Sequence, residues 1–197
     1  MSASTAEPIK LILVGASAGG IIAAKNLLLG LKPGFRSALV MVMHRMKNTD
    51  SKLDKLLQHY SPLPVSEAED KMRIMPGGVY IAPANYHLLF ENQNHFALSY
   101  DEPVNYSRPS IDVSMESAAE VFGRSLLCIL LTGANSDGAL GIKKAHAYGA
   151  QTLIQDPTEA DIARMPEAGI KASPNTPILP LPLIIQYINA YDHDPLL

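Results

Sequence analysis

The sequence predicts an α/β fold: a doubly wound, mainly parallel sheet with helices on both faces and an antiparallel hairpin at one edge. Short apolar runs alternate along the chain with longer stretches of helical pattern, which is the order of elements that such a sheet requires. The runs are continuously apolar rather than alternating, as is typical of parallel strands that helices cover on both faces. In the middle of the chain, two short strand candidates are separated only by the residues ENQN, which indicates a hairpin.

The first half of the chain begins with two pairs of a strand and a helix. The run LILV (residues 11–14) precedes a helical pattern over residues 21–29, and ALVMVM (38–43) precedes one over about residues 50–60. Three short strands follow, at residues 79–83, 87–90 and 95–100, and the last two form the hairpin. Because these strands interrupt the alternation with helices, we place them at an edge of the sheet.

The second half of the chain returns to the alternation of strands and helices. Its predicted elements are a helix from Ser110 to about Phe122, a strand over 126–131, a helix over 137–148, a strand over 151–155, a helix around 166–172 and a last helix over 183–191. Ser110 starts the first of these because serine is a favourable N-cap. The proline-rich stretch SPNTPILPLP is predicted to cross irregularly before the last helix.

Length and composition fit one domain. A chain of 197 residues is long enough for a single substantial core, so we divide it into an N-terminal tail (1–10), one domain (11–192) and a C-terminal tail (193–197). Sixteen Lys and Arg against nineteen Asp and Glu give no electrostatic basis for binding nucleic acid or an anionic membrane. No apolar run approaches the roughly 20 residues that cross a bilayer, and residues 1–8 do not resemble a signal peptide. We therefore expect a cytoplasmic protein with no nucleic-acid partner and no membrane insertion.

The segment GASAGG (residues 15–20), between the first strand and its helix, admits two functional interpretations. As a dinucleotide loop it lacks a glycine, because Ser17 stands where the backbone must approach a pyrophosphate. The second strand ends in His44 and Arg45 rather than in an acidic residue for a ribose, although Arg45 could meet the 2′-phosphate of NADP. As a Gly-x-Ser-x-Gly turn, the segment would expose the Ser17 hydroxyl in front of a helix N-terminus. The segment alone favours neither interpretation over a plain structural turn.

A reactive serine needs a base and a group that orients the base. His44 closes the second strand, and the carboxyl ends of neighbouring parallel strands share one rim, so Ser17 and His44 are expected to meet there. Asp137 and Asp156 each follow a later strand, and either could orient the imidazole; we prefer Asp137. The histidines show no metal-binding spacing, and we expect neither a metal nor a cofactor.

Several motifs together resemble the catalytic domain of the chemotaxis protein-glutamate methylesterases, the CheB family. They run in the family's order over nearly the whole chain: VGASAGG, MVMHRM, EAED followed by IMPGGVYIAP, YSRPSIDV, LLTGANSDGALGI and MPEAGI. The resemblance implies a serine hydrolase on a doubly wound sheet, with Ser17 as nucleophile, His44 as base and Asp137 as the orienting acid. Its implied reaction is demethylation of glutamate methyl esters on chemoreceptor helices, with deamidation of glutamine as a second activity.

Three further residues receive predicted roles near this site. The backbone N–H groups near Ala18 and Ala134 are our candidates for the oxyanion hole. Arg108, in SRPS, is either a donor at the mouth of the site that binds the substrate or a partner in a loop-stabilising salt bridge. A direct test of the main assignment is that Ser17 Oγ should lie within hydrogen-bond reach of one His44 ring nitrogen and an Asp137 carboxylate at the other.

The sequence also departs from the family's usual pattern. Family members usually carry an N-terminal receiver domain, whereas only residues 1–10 precede the first strand here, so a receiver domain or a methyltransferase domain outside this chain is a candidate partner. Ala18 stands where threonine is common, and the loop at Asp137 reads GANSDG. Two alternatives to a chemoreceptor methylesterase stay open: a freestanding esterase or amidase that acts on another protein, and an NADP-binding domain.

Overall fold

The structure, a computed structural model, describes residues 10–44 and 52–193. The strands in these ranges are β1 (Leu11–Ala16), β2 (Ala38–Met43), β3 (Val65–Glu67), β4 (Val79–Ile81), β5 (His87–Asn92), β6 (His95–Ser99), β7 (Leu126–Leu130), β8 (Gln151–Gln155) and β9 (Ile178–Leu179). The helices are α1 (Gly20–Leu29), α2 (Leu53–Gln58), α3 (Ile111–Phe122), α4 (Ala139–Ala147), α5 (Arg164–Ala172) and α6 (Leu181–His193). The predicted α/β class is confirmed.

Seven strands form one parallel sheet in the order β3-β4-β2-β1-β7-β8-β9. The chain builds outward from β1 in one direction through β2, and later in the other direction through β7. The order therefore reverses beside β1, and in sheets of this kind a crevice opens beyond the carboxyl ends of the strands at such a reversal. The register pairs Ala16 with Met43, so β1 and β2 end at the same level.

Successive strand residues point to opposite faces of the sheet, and each face carries its own apolar core. Ile12 and Val14 pack with α1, α2 and α6 on one face, whereas Leu11 and Leu13 pack with α3, α4 and α5 on the other. Burial on both sides explains why the strands are continuously apolar, since each fully buried aliphatic side chain contributes roughly 1.5–3 kcal/mol. The helices on both faces are as predicted.

The predicted hairpin is present as β5 and β6, but it forms a separate two-stranded sheet and adds no strand to the large one. Its aromatic side chains pack inward: the rings of Phe90 and Phe122 in α3 lie 5.6 Å apart, and those of Phe96 and Tyr80 lie 5.0 Å apart. The backbone of Phe96 bonds to Lys71 and Met72. Because these contacts pack the hairpin against α3 and β4, it covers a face of the sheet instead of extending its edge.

Several element boundaries differ from the predictions. The strands β3 and β9 are too short to give an apolar run, and β9 lies inside the proline-rich stretch that was expected to be irregular. The helix predicted from residue 137 begins at Ala139, because Gly138 adopts a left-handed φ of 92° immediately before it. The tails predicted at 1–10 and 193–197 fall mostly outside the described residues, as does the start of the helix predicted over 50–60. Among the helices described, none has the length and apolar character needed to cross a membrane.

Candidate active site

Ser17 lies in the turn between β1 and α1, at the carboxyl edge of the sheet. Its N–H donates to the Thr132 carbonyl at 2.9 Å, and its carbonyl accepts the Gly20 N–H at 2.8 Å. Gly19 adopts a left-handed φ of 79°, which allows the chain to turn sharply into the helix. The turn leaves the Ser17 side chain half-buried, at the place where the strand order reverses.

His44 follows β2 directly and reaches across to the neighbouring strand. Its Nδ1 lies 3.1 Å from Ser17 Oγ, within hydrogen-bond distance. Ser17 comes directly after β1 and His44 directly after β2, and these paired strands end at the same level. The two side chains therefore meet although they lie 27 positions apart in sequence. The first contact predicted from the sequence is therefore present.

Asp137 lies on the other side of the His44 ring. Its Oδ2 is 2.8 Å from His44 Nε2, and its side chain is fully buried, whereas the His44 side chain is 16% exposed. Asp156, the alternative that the sequence left open, caps its own turn by accepting the Thr158 N–H and O–H at 2.8 Å each. The structure therefore brings Asp137 to the histidine and directs Asp156 to a local turn.

The first turn of α3 surrounds the Asp137 carboxylate with donors. The Ser110 hydroxyl donates to it at 2.9 Å, and the backbone N–H groups of Ile111 and Asp112 donate at 2.7 and 3.1 Å. Burial alone would raise the pKa of Asp137, but the hydrogen bonds from His44, Ile111, Asp112 and Ser110 outweigh it and hold the pKa below its ordinary value. The positive end of the α3 dipole acts in the same direction.

An ionised Asp137 determines the tautomer of His44. A carboxylate has no proton to donate, so His44 must donate its Nε2 hydrogen to Asp137. The neutral ring then presents its Nδ1 lone pair to the Ser17 hydroxyl. The arrangement can accept a proton from Ser17 and stabilise the resulting imidazolium, which is the chemistry of an activated serine nucleophile.

Two residues behind Asp137 were not identified as site residues from the sequence. Ser110 was predicted only as a helix cap, yet its hydroxyl binds Asp137. His87, which is buried, accepts the Ser110 N–H on Nδ1 at 3.2 Å and donates its Nε2 hydrogen to the Glu102 carbonyl at 3.1 Å. Neither residue's contacts have a local sequence signal, because β5, the start of α3 and the loop before α4 meet only in the folded chain.

Thr132 connects the Ser17 turn to the entrance of α5. Its buried hydroxyl donates to the Ala18 carbonyl at 2.9 Å and accepts the Ile162 N–H at 2.9 Å. Its own N–H donates to the side chain of Gln155. The bond to the Ala18 carbonyl fixes the peptide plane between Ala18 and Gly19. Sequence analysis did not identify Thr132 as a site residue.

The two oxyanion candidates, Ala18 and Ala134, lie exposed on the loops that flank the site. The Ser17 carbonyl points toward the Gly20 N–H, and in a trans peptide the next N–H points the opposite way. The Ala18 N–H is therefore directed away from α1. The role of both N–H groups stays a prediction.

Arg108 makes contacts that neither of its predicted roles described. Its Nη1 donates to the carbonyls of Tyr100 and Asp101 at 2.9 Å each, and its guanidinium lies 3.8 Å from the centre of the Tyr100 ring. These contacts hold the loop between β6 and α3 through backbone carbonyls rather than through a salt bridge. A role in binding substrate stays a prediction.

Comparison with known proteins places this geometry in a family. Residues 12–188 match the family model described as CheB methylesterase. The chain belongs to the CheB methylesterase family. A family relative from Leptospira interrogans, named a putative protein-glutamate methylesterase/protein-glutamine glutaminase, is 42% identical over 93% of this chain and 95% of that protein.

Two further comparisons show how much of a family member this chain spans. A Nitrosomonas europaea protein-glutamate methylesterase/protein-glutamine glutaminase is 37% identical over 87% of this chain but only 49% of its own length, so this chain spans about half of that relative. The crystal structure of the Thermotoga maritima CheB methylesterase catalytic domain matches with a TM-score of 0.87 and 29% identity, over 93% of this chain and 99% of that domain. The fold described above is therefore that of the family's catalytic domain.

Proposed function

We propose that the protein is a serine hydrolase that demethylates glutamate methyl esters on chemoreceptors and also deamidates glutamine side chains. The observation that carries the proposal is the continuous chain of hydrogen bonds from Ser17 through His44 to Asp137. Membership in the CheB methylesterase family supports the substrate class, as do the names of the relatives.

The reaction starts at Ser17. Its hydroxyl proton passes to His44 Nδ1 while Oγ attacks the ester carbonyl carbon of the substrate. Asp137 stabilises the imidazolium through Nε2, and the negative charge on the substrate oxygen is met by the N–H groups of Ala18 and Ala134 in their predicted role. His44 then returns the proton to the leaving methanol, which leaves an acyl ester on Ser17.

Water completes the cycle by the same steps in the second half. His44 takes a proton from water, and the hydroxide attacks the acyl ester. His44 then returns the proton to Ser17 Oγ as the ester breaks, which leaves a glutamate side chain on the substrate protein. Glutamine enters the same scheme with ammonia as the leaving group in place of methanol. One site thus serves both reactions, because only the leaving group changes.

The proposal extends to the partners and the location. The substrate residues lie on the cytoplasmic helices of chemoreceptors, so the protein acts in the cytoplasm. A receiver domain or a methyltransferase domain outside this chain stays a candidate partner for regulation.

The geometry argues against binding NADP at the same turn. A pyrophosphate would have to lie against the N-terminus of α1, but Asp161 Oδ2 lies 2.6 Å from the point that a β-carbon at Gly19 would occupy. Asp161 and Glu159 also line a cavity of about 140 Å³ beside the start of α1. Two acidic side chains at this position repel the phosphates that the loop would need to hold.

The test is methanol release from a methylated chemoreceptor cytoplasmic fragment, measured for this protein and for Ser17→Ala. We expect release by the unchanged protein and a loss of at least about 1,000-fold in the variant, since the nucleophile is removed. Absence of release by the unchanged protein would contradict the substrate, and equal release by Ser17→Ala would contradict the nucleophile.

A further inference from the structure

Asn135, two residues before Asp137, contacts the reactive edge of His44. Its Nδ2 lies 3.3 Å from His44 Nδ1, the nitrogen that also faces Ser17. Its Oδ1 accepts the Asp137 N–H at 3.1 Å. Because the Asp137 N–H can only donate, the amide oxygen must point toward it, and the amide nitrogen is the atom that faces the ring.

An amide nitrogen can donate to His44 Nδ1 only while that nitrogen carries a lone pair. The contact with Asp137 already places the ring hydrogen on Nε2, so the neutral ring has one lone pair on Nδ1, which the Asn135 N–H at 3.3 Å and the Ser17 hydroxyl at 3.1 Å share. Once Nδ1 is protonated, two N–H groups face each other and the contact becomes repulsive. The contact with Asn135 therefore favours the neutral ring over the imidazolium.

We propose that Asn135 is a positioning residue that holds the neutral His44 ring with its Nδ1 lone pair directed toward Ser17. The role rests on the proposed function to the extent that His44 is the base. Asp137 holds the ring at Nε2, and Asn135 holds it at Nδ1, the nitrogen that faces Ser17. As the Ser17 proton arrives at Nδ1, the amide must release the ring.

Asn135 favours the neutral His44 ring, and the charged and titratable groups around this site either favour the imidazolium or have no direct effect on the ring. The Asp137 carboxylate bonds to Nε2 and favours the imidazolium, and Asp112 stands behind Asp137 at the start of α3. His87 bonds to the backbone of Ser110 and Glu102 and does not contact the His44 ring. Removing the Asn135 amide thus leaves Asp137 as the dominant influence on the ring and should make protonation of His44 easier.

Two variants separate the amide donor from the loop contact. Asn135→Ala removes both the donor and the acceptor for the Asp137 N–H. Asn135→Asp keeps an oxygen for the Asp137 N–H but replaces the donor by a carboxylate, which favours a proton on Nδ1. Ser136→Ala is the matched control, because it changes the exposed neighbouring residue of the same loop.

The measurement is a ¹⁵N NMR titration of the His44 ring nitrogens in the substrate-free protein, with signals assigned by their loss in His44→Gln. We expect the unchanged protein to carry its ring hydrogen on Nε2 above the titration midpoint. We expect that midpoint to rise in Asn135→Ala, because a donor that favours the neutral ring is removed, and to rise further in Asn135→Asp. Ser136→Ala should titrate as the unchanged protein does.

An unchanged midpoint in both Asn135 variants would overturn the proposal, as would a ring hydrogen on Nδ1 in the unchanged protein. The acid side of the pH profile of methanol release should move by the same amount as the midpoint. If the rate of methanol release fell equally at every pH and the acid side of the profile did not move, Asn135 would have a role in the structure of the loop alone. Because the titration needs no substrate, its result stands apart from any failure of the methylesterase assay.

Discussion

The Asp137 carboxylate is fully buried and yet ionised, because four donors surround it. Three of these donors come from Ser110 and the first turn of α3, and the fourth is the His44 ring. A single side chain thus bonds to the His44 ring and closes the N-terminus of α3. Loss of the Asp137 carboxylate should lower both activity and stability, whereas loss of the Asp156 carboxylate should change neither strongly.

Asp137→Asn and Asp156→Asn are a matched pair that tests this division. We expect Asp137→Asn to lower kcat for methanol release by roughly 1,000- to 10,000-fold, since an amide cannot hold the imidazole in the required tautomer or stabilise the imidazolium. Asp156→Asn should stay within about twofold, because its carboxylate only caps a surface turn. A larger loss in Asp156→Asn than in Asp137→Asn would reverse the assignment.

The positions and contacts of the site residues could be predicted only in part. Ser17, His44 and Asp137 each follow a strand by a few positions, so the positions of the apolar runs are enough to predict that all three lie on one rim of the sheet. Asn135 and Ser110 could not be placed in this way. Their contacts depend on the side-chain direction within a loop and on where α3 crosses the sheet, and neither leaves a periodic signal.

Among the elements, α3 and α4 close each other's N-termini. Asp137, just before α4, accepts the first N–H groups of α3, and Asp112 in α3 accepts the Gly141 N–H of α4 at 2.7 Å. Ser110 joins both roles, because its hydroxyl caps α3 through the Val113 N–H and donates to Asp137. The pair of helices therefore holds the acid of the site in place.

Ser110→Ala tests this reciprocal capping. We expect a loss of about 1–2 kcal/mol in the free energy of unfolding, since the variant removes an N-cap and one donor to a buried carboxylate. Urea denaturation measures the loss, and Ser136→Ala, in an exposed position, should change the free energy by less than about 0.5 kcal/mol. Equal stability of the two variants would contradict the capping role.

Element prediction succeeded where burial sets the pattern. The strands β1, β2 and β7 are covered on both faces, and their continuous apolar runs indicated their positions within one or two residues. The pattern failed for β3, whose residues are only partly buried. The hairpin was predicted, but its position was not, because it depends on contacts between residues far apart in sequence: Phe90 packs on Phe122 of α3, and Phe96 packs on Tyr80 of β4.

At the scale of the whole molecule, two buried carboxylates give opposite contributions to stability as the pH changes. The pKa of Asp137 is held below its ordinary value of 3.8, so its contribution is present above that pH and is lost as the pH falls through the lowered pKa. Burial, with the nearby charge of Asp137, raises the pKa of Asp112, so its contribution is present below pH 3.8 and is lost as the pH rises through the raised pKa.

The free energy of unfolding at about pH 5 and about pH 2.5 tests these signs. We expect the unchanged protein to lose more stability on acidification than Asp137→Asn does, because the variant has no carboxylate left to protonate at that position. Asp112→Asn should lose more than the unchanged protein does, since it lacks the group whose protonation favours the fold in acid. Equal losses in all three proteins would contradict the account.

The sheet brings the three side chains of the site together because the strand order reverses beside β1. The measurement that tests the central claim most directly is mass spectrometry of the protein mixed briefly with methylated chemoreceptor fragment and quenched in acid. We predict an acyl ester that joins the fragment to the peptide containing Ser17, formed by the unchanged protein and strongly reduced in Asp137→Asn. Methanol release without any acyl ester on Ser17, or with the ester on another residue, would contradict the account.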